Sequence, residues 1–266
     1  MKILFTDLDY TLLNNESKVS EYTANVLRTY IGNGGKLVLA SGRPLPSVME
    51  VRNTQNIAFD GMYIIANNGS VIYDCTKDEV IRKKTVSFED TVNIWKMALD
   101  MGIHIQTYTD DTILTCADDD EIKHYTKKIH IPYEECANPL DKLKNPPYKL
   151  LAADLNNKDK LYELQNRILE EYGDRINAVF SSDIYLEIFN ITSGKGDAVT
   201  WLCDALDIAI DDAYAAGDAM NDLSMIEAAG HGIAMCNGCD EVKNIAEIIT
   251  EYDNDNDGLA RLIESL

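Results

Sequence analysis

Nothing in this chain of 266 residues approaches the roughly 20 consecutive apolar residues that a membrane-spanning helix requires. The first residues also lack the apolar core and small-residue cleavage site of a secretory leader, so a cytoplasmic protein with no membrane partner is expected. Positive charge is scarce: 24 Lys and Arg stand against 45 Asp and Glu, a formal net charge of -21. Binding a phosphate backbone needs a basic face, so no nucleic-acid partner is expected. A small anionic ligand is not excluded, because a metal ion and a few local cations can set the sign inside one site. Cysteine carries little signal. Of Cys75, Cys116, Cys136, Cys203, Cys236 and Cys239, only the Cys236/Cys239 pair has a motif spacing. No second such pair or His pair completes a zinc site, and reduced thiols are the expectation. Repeats and low-complexity linkers are absent as well.

What is present concentrates at the start. The apolar run Ile3-Leu4-Phe5 reads as a buried strand, and it ends on Asp7 and Asp9, with Thr11 following at the same spacing. Alternation along an extended segment lets both carboxylates lie on one side, just beyond the strand. Two crowded carboxylates repel each other unless a divalent cation holds them, or unless one attacks while the other moves a proton. An Asp-rich turn after an edge strand is the alternative reading of this string alone.

Strand-like and helix-like segments alternate through the first eighty residues. Ser20 caps an expected helix that runs to a turn at 32–35. Residues 36–40 read as a second buried strand ending on Ser41-Gly42-Arg43-Pro44, and residues 62–66 as a third, followed by the turn Asn67-Asn68-Gly69 into 70–73. Continuous rather than alternating apolar strands indicate a parallel sheet covered on both faces. Between 82 and 190 the strands (103–108, 112–116, 148–153, 175–179, 184–189) turn polar and aromatic, with helices near 88–101, 119–129 and 157–172. Buried strands resume at 213–216 and 232–235. The expected fold is therefore α/β, a doubly wound parallel sheet built from 1–81 and 191–266, with an α+β domain inserted at 82–190.

Open parallel sheets bind ligands outside the carboxyl ends of their strands. Asp7, Asp9 and Ser41 lie at such ends, as does Asp218 after the strand at 213–216, with Asn221 and Asp222 one turn later; Lys195 sits at a helix start. Metal-assisted phosphoryl transfer needs such a set: an attacking carboxylate, a proton donor, a metal-holding carboxylate, a hydroxyl and an ammonium. The ordered set resembles the haloacid dehalogenase (HAD) superfamily, and closely its Cof-type phosphatases with a type IIB (C2-type) cap. Asp7-Leu8-Asp9-Tyr10-Thr11 looks like the first motif, Ser41-Gly42-Arg43 the second, Lys195 within Ser-Gly-Lys-Gly-Asp the third, and Gly217-Asp218-Ala219-Met220-Asn221-Asp222 the fourth. The likeness covers nearly the whole chain.

The resemblance implies a Rossmann-like core with a cap that closes over it, and a phosphatase for small phosphomonoesters, with sugar phosphates the commonest class. It implies Asp7 as nucleophile forming an aspartyl-phosphate, and Asp9 as general acid and then base. Mg²⁺ would sit on Asp7, the Asp9 carbonyl and Asp218, supported by Asn221 and Asp222, while Ser41 and Lys195 hold the phosphoryl oxygens. Arg43, Asn67, Asn68 and Gly69 are candidate substrate contacts on the core; His104, Tyr108 and Glu187 are candidates on the inserted domain. The partner would be a small phosphorylated metabolite, and the protein a monomer or homodimer. A phosphomannomutase-like phosphotransferase and a non-enzymatic phospho-receiver or binding protein are the competing readings. Tyr10 stands where the family usually has glycine, a strained position if φ there is positive.

One rival motif remains. Asp253, Asp255, Asp257, Gly258 and Glu264 follow the spacing of an EF-hand loop. Arg261 and Ala260 at its later positions, and a terminal helix with an acidic start, favour the helix over calcium.

Overall fold

The computed structural model describes residues 1–127 and 129–265. Lys128 and Leu266, which fall in two of the expected helical stretches, lie outside the described residues. The chain divides into two compact units, 1–82 with 194–266 and 83–193, so the crossings fall one and three residues beyond those read from the sequence. The second offset has a local cause: Ile191 N–H bonds to Arg175 C=O and Ser193 N–H to Asn190 C=O, which ties 191–193 to the inserted unit.

In chain order the first unit opens with β1 (Ile3–Thr6), α1 (Glu21–Gly32), β2 (Lys36–Ala40), α2 (Leu45–Thr54), β3 (Tyr63–Ala66), β4 (Val71–Asp74) and β5 (Glu79–Lys83). The inserted unit follows as α3 (Phe88–Asp100), β6 (His104–Tyr108), β7 (Ile113–Thr115), α4 (Asp120–Thr126), β8 (Tyr133–Glu135), β9 (Lys149–Ala153), α5 (Lys158–Tyr172), β10 (Ile176–Ser182) and β11 (Tyr185–Asn190). The first unit then closes with α6 (Lys195–Ala205), β12 (Ala213–Gly217), α7 (Leu223–Ala228), β13 (His231–Ala234), α8 (Asp240–Ile245), β14 (Ile248–Ile249) and α9 (Gly258–Ile263).

The strands of the first unit form one sheet in the order β14-β13-β12-β1-β2-β3-β4-β5. Pairing is parallel from β14 through β3, and β4 turns back antiparallel to β3 through the Asn67–Gly69 turn. Ile3 and Phe5 pack with Ala198, Val199 and Leu202 of α6 on one face. Leu4 points the opposite way by strand alternation and is equally buried, so both faces are covered. This is the α/β, doubly wound arrangement that the continuous apolar strands imply. Ser20 caps α1 by accepting the Thr23 N–H at 2.9 Å, as read from the sequence.

The inserted unit is a second sheet, ordered β10-β11-β9-β6-β7-β8 and antiparallel except at β7–β8. One face carries Ile105, Leu150, Ala152, Leu186 and Ile188 into a core with α3 and α5 residues Ile94, Trp95, Leu161, Leu164 and Ile168. The other face carries a second apolar core, Tyr108, Leu151 and Ala153 with Ile122, Tyr125 and Ile131, and a buried ion pair shares that face. Lys149 is fully buried, and its Nζ lies 2.6 Å from Glu187 Oε2 and 5.0 Å from the Tyr108 ring centre.

The EF-hand string does not form a ring of oxygens around a common point. Asp253 caps the turn at Asn254–Asn256, Asp255 accepts from the Asn15 N–H at 2.8 Å, and Glu264 accepts from the Tyr22 hydroxyl. Asp257 Oδ1 accepts from Ser20 Oγ at 2.5 Å and Thr23 Oγ1 at 2.8 Å. These carboxylates hold the C-terminal segment to the chain around α1, a structural use of the acidic stretch.

Candidate active site

Four neighbouring strands of the first sheet deliver a polar residue one position past their ends: β12 gives Asp218, β1 gives Asp7, β2 gives Ser41 and β3 gives Asn67. Parallel pairing aligns these ends, because the strands point the same way and are held in register. Asp7 extends the ladder by one rung, its N–H bonded to Ala216 C=O at 2.9 Å. Beyond it the chain makes one wide turn, closed by the Leu13 N–H on Leu8 C=O at 2.8 Å. Tyr10 sits in that turn with φ 60° and ψ 11°, so the position does require left-handed backbone, and tyrosine occupies it at a steric cost. Its carbonyl accepts from Asn237 Nδ2 at 2.8 Å.

Lys195 heads α6 and is 1 % exposed. Its Nζ bridges two carboxylates, at 2.5 Å from Asp7 Oδ1 and 2.6 Å from Asp222 Oδ1. The other oxygen of Asp222 accepts from the N–H groups of Asp218 and Ala219, at 3.0 and 3.1 Å. Gly217 makes room for that fold-back, since a Cβ there would lie 2.4 Å from the Asp222 Cβ. Asp218 Oδ1 in turn accepts from Thr11 Oγ1 at 2.7 Å. Carboxylate oxygens of Asp7, Asp218 and Asp222 lie within 4.8 Å of one another.

Two carboxylates share one ammonium and a third lies close by, and burial raises the proton affinities of Asp7 and Asp218. Burial, reinforced by Asp222 and Asp9 against the pull of Lys195, raises Asp7 from its ordinary 3.8 to about 7. Burial, with Asp222 and Asp7, raises Asp218 to about 8. Burial disfavours the Lys195 ammonium, but Asp222 and Asp7 outweigh it and hold the lysine protonated.

The donor set fits a hard divalent cation: oxygen ligands, a surplus of negative charge and little solvent. Its members are not equivalent, however. Both oxygens of Asp222 are already bonded to Lys195 and backbone N–H groups, so it orients its neighbours, whereas Lys195 and Thr11 engage only the Oδ1 atoms of Asp7 and Asp218. Asn221 is tied by its Nδ2 to Asn68 Oδ1 at 3.3 Å.

Ser41 Oγ accepts the Arg43 N–H at 3.1 Å, which leaves its own proton to donate. Arg43 grips the Asp9 carboxylate with two bonds, Nε to Oδ2 at 2.9 Å and Nη2 to Oδ1 at 2.6 Å. Asn67, Asn68 and Gly69 have φ values of 50°, 53° and 93°. A Cβ on Gly69 would lie 2.2 Å from the Gly194 carbonyl oxygen, so no other residue fits there without a shift of the backbone. The Asn68 Nδ2 and Asn67 Oδ1 atoms are buried with no protein partner.

The strand-end set named from sequence is thus brought together: Asp7, Asp9, Ser41, Arg43, Asn67, Asn68, Gly69, Lys195, Asp218, Asn221 and Asp222 all lie in the first unit. Thr11, whose spacing alone marks it in the sequence, bonds to Asp218 across 207 positions. The inserted-unit candidates are engaged within their own unit. His104 Nδ1 lies 2.7 Å from Asp119 Oδ2 and its Nε2 3.1 Å from Gln106 Oε1, the pattern of a structural histidine. The Tyr108 hydroxyl accepts from Gln106 at 2.7 Å and donates to Tyr125 at 2.9 Å. Glu187 is paired with Lys149 and accepts from Ser181 Oγ at 3.1 Å.

The family described as haloacid dehalogenase-like hydrolase matches residues 4–263. A Bacillus subtilis (strain 168) protein named 5-amino-6-(5-phospho-D-ribitylamino)uracil phosphatase is 30 % identical over 100 % of this chain and 98 % of its own. Another protein of that strain, named a phosphatase, is 27 % identical, and all of both chains is covered. The crystal structure of a haloacid dehalogenase-like hydrolase from Bacteroides thetaiotaomicron superposes with a TM-score of 0.90 at 28 % identity, covering 99 % of this chain and 98 % of that one.

Proposed function

Because this chain belongs to the haloacid dehalogenase-like hydrolases and is a phosphatase, we propose that it hydrolyses small phosphomonoesters through a phosphorylated Asp7. The observation that carries this reading is the Asp7–Lys195–Asp222 chain of charges, set beside Asp218 at the carboxyl ends of adjacent strands.

In the first step an Asp7 oxygen bonds to phosphorus while the bond from phosphorus to the ester oxygen breaks. Asp9 gives its proton to the departing alkoxide. In the second step a water attacks the same phosphorus, Asp9 takes the water's proton, and the bond to Asp7 breaks, which restores the Asp7 carboxylate and the protonated Asp9. Lys195, held protonated, and the Ser41 hydroxyl offset the negative charge gathering on the phosphoryl oxygens. Asn68 Nδ2, a buried donor without a protein partner, gains one when a substrate oxygen arrives. Family members generally use Mg²⁺; here Asp7, Asp218 and the Asp9 carbonyl would hold it, with Asp222 and Asn221 in support, and it would supply positive charge to the phosphoryl group.

The substrate class we favour is a phosphorylated polyol or sugar of the cytoplasm. The 30 % identical relative is named for a phosphorylated ribityl compound, and the six unpaired cysteines suit a reducing compartment. The test is phosphate release across a panel of phosphorylated metabolites, with Asp7→Asn and a chelator-treated sample as controls. Turnover of one or more polyol phosphates, lost in both controls, is expected. Release by Asp7→Asn at the parent rate would overturn the mechanism, and transfer to another sugar hydroxyl instead of water would make the chain a phosphotransferase.

A further inference from the structure

Arg43 was expected to meet substrate, yet its guanidinium is already committed in a planar two-point fork on Asp9, with bonds of 2.9 and 2.6 Å. The arginine side chain is 7 % exposed and the aspartate side chain 24 %. The base of that fork is immobilised on both sides. Arg43 N–H is bonded to Ser41 Oγ at 3.1 Å, and Arg43 C=O accepts the Asn67 N–H at 3.0 Å. Asp9 stands in the wide turn beside Tyr10, where its side chain meets both the fork and solvent. A carboxyl group that hands a proton to the leaving oxygen, then takes one from water, must present the same oxygen to the same place twice per turnover. Small displacements of such a group are costly to rate.

We propose that Arg43 is the positioning residue for Asp9: it fixes the plane of the proton-carrying carboxyl and thereby acts on leaving-group departure through Asp9 instead of gripping substrate. The inference rests on the reading of Asp9 as proton carrier given above. A guanidinium suits the task because two N–H bonds define both distance and plane. A lysine ammonium would keep the charge but leave the plane undefined.

The experiment is a double-mutant cycle read on two substrates. One is p-nitrophenyl phosphate, whose leaving group departs without protonation, and the other is an alkyl phosphate that the enzyme turns over. Asp9→Asn should lower kcat for the alkyl ester by about 10²-fold or more, with a much smaller loss on the aryl ester. Arg43→Gln should show the same asymmetry, with kcat for the alkyl ester down at least about tenfold and KM little changed. Arg43→Lys should resemble Arg43→Gln, and because it keeps the charge it serves as the second variant should Arg43→Gln fold poorly. In the Asp9→Asn background, Arg43→Gln should cost the alkyl ester nothing further. Equal losses on both esters, a loss confined to KM, or losses that multiply in the double variant would each overturn the proposal while leaving Asp9 as the proton carrier. A leaving-group-independent effect of Asp9→Asn alone would overturn both.

Discussion

Thr11 donates its hydroxyl proton to Asp218 across 2.7 Å, joining the turn after β1 to the end of β12, 207 positions away in sequence. That bond favours the ionised form of Asp218 against the burial that opposes it. Thr11→Val keeps the shape and removes the bond. We expect it to weaken Mg²⁺ binding by about tenfold or more, measured by titrating activity with the metal. An unchanged titration curve would leave Thr11 a packing residue only.

Lys195 is the cation between two buried carboxylates, so removing it leaves Asp7 and Asp222 without their partner. Lys195→Met should lower stability by about 3–5 kcal/mol by denaturant unfolding and abolish phosphatase activity. Full stability in that variant would show that the pair draws its support from elsewhere.

The raised proton affinities of Asp7 and Asp218 carry a definite sign. Both bind protons more tightly folded than unfolded, so the stability they contribute is present at low pH. It is lost as pH rises through about 7 and about 8. Metal-free protein should therefore lose Tm between pH 5.5 and 8.5, at windows set by those values. Mg²⁺ should restore more Tm at pH 8.5 than at 5.5, because it replaces the protons those groups have released. A Tm gain that does not depend on pH would contradict this assignment.

Tyr10 holds φ 60° with 51 % of its surface exposed, so its ring contributes little packing to set against the left-handed strain. Tyr10→Gly should relieve about 1 kcal/mol of strain and lose a similar amount to unfolded-chain entropy, leaving Tm nearly unchanged. Tyr10→Val, β-branched at the same φ, should lower Tm. Equal Tm for the valine and glycine variants would show that the turn relaxes.

In the inserted unit, Glu187→Gln removes the negative charge 2.6 Å from the fully buried Lys149 ammonium. A loss of about 3–5 kcal/mol is expected, and Lys149→Met with Glu187→Leu together should recover most of it. If the double variant is as unstable as the single one, the pair fixes geometry that apolar packing cannot replace.

Much of this molecule was legible in the order of its residues. Apolar runs without alternation, each ending on Asp, Ser or Asn, point to strands buried on both faces, and parallel pairing of four of them places Asp7, Ser41, Asn67 and Asp218 at one edge of the sheet. Short elements were not legible: β14 has two residues, β8 is the largely exposed Tyr133–Glu135, and neither has an apolar run to announce it. The partners within the site also depended on the tertiary structure. Arg43 could equally have faced a ligand, Thr11 had no visible partner, and the carboxylates of the EF-hand-like stretch could have converged or diverged. Composition and periodicity decide which residues reach one place, because burial is a property of each segment. Which oxygen meets which nitrogen depends on side-chain torsions fixed by neighbours distant in sequence, as Lys195 is from Asp7, and only the packed sheet supplies those.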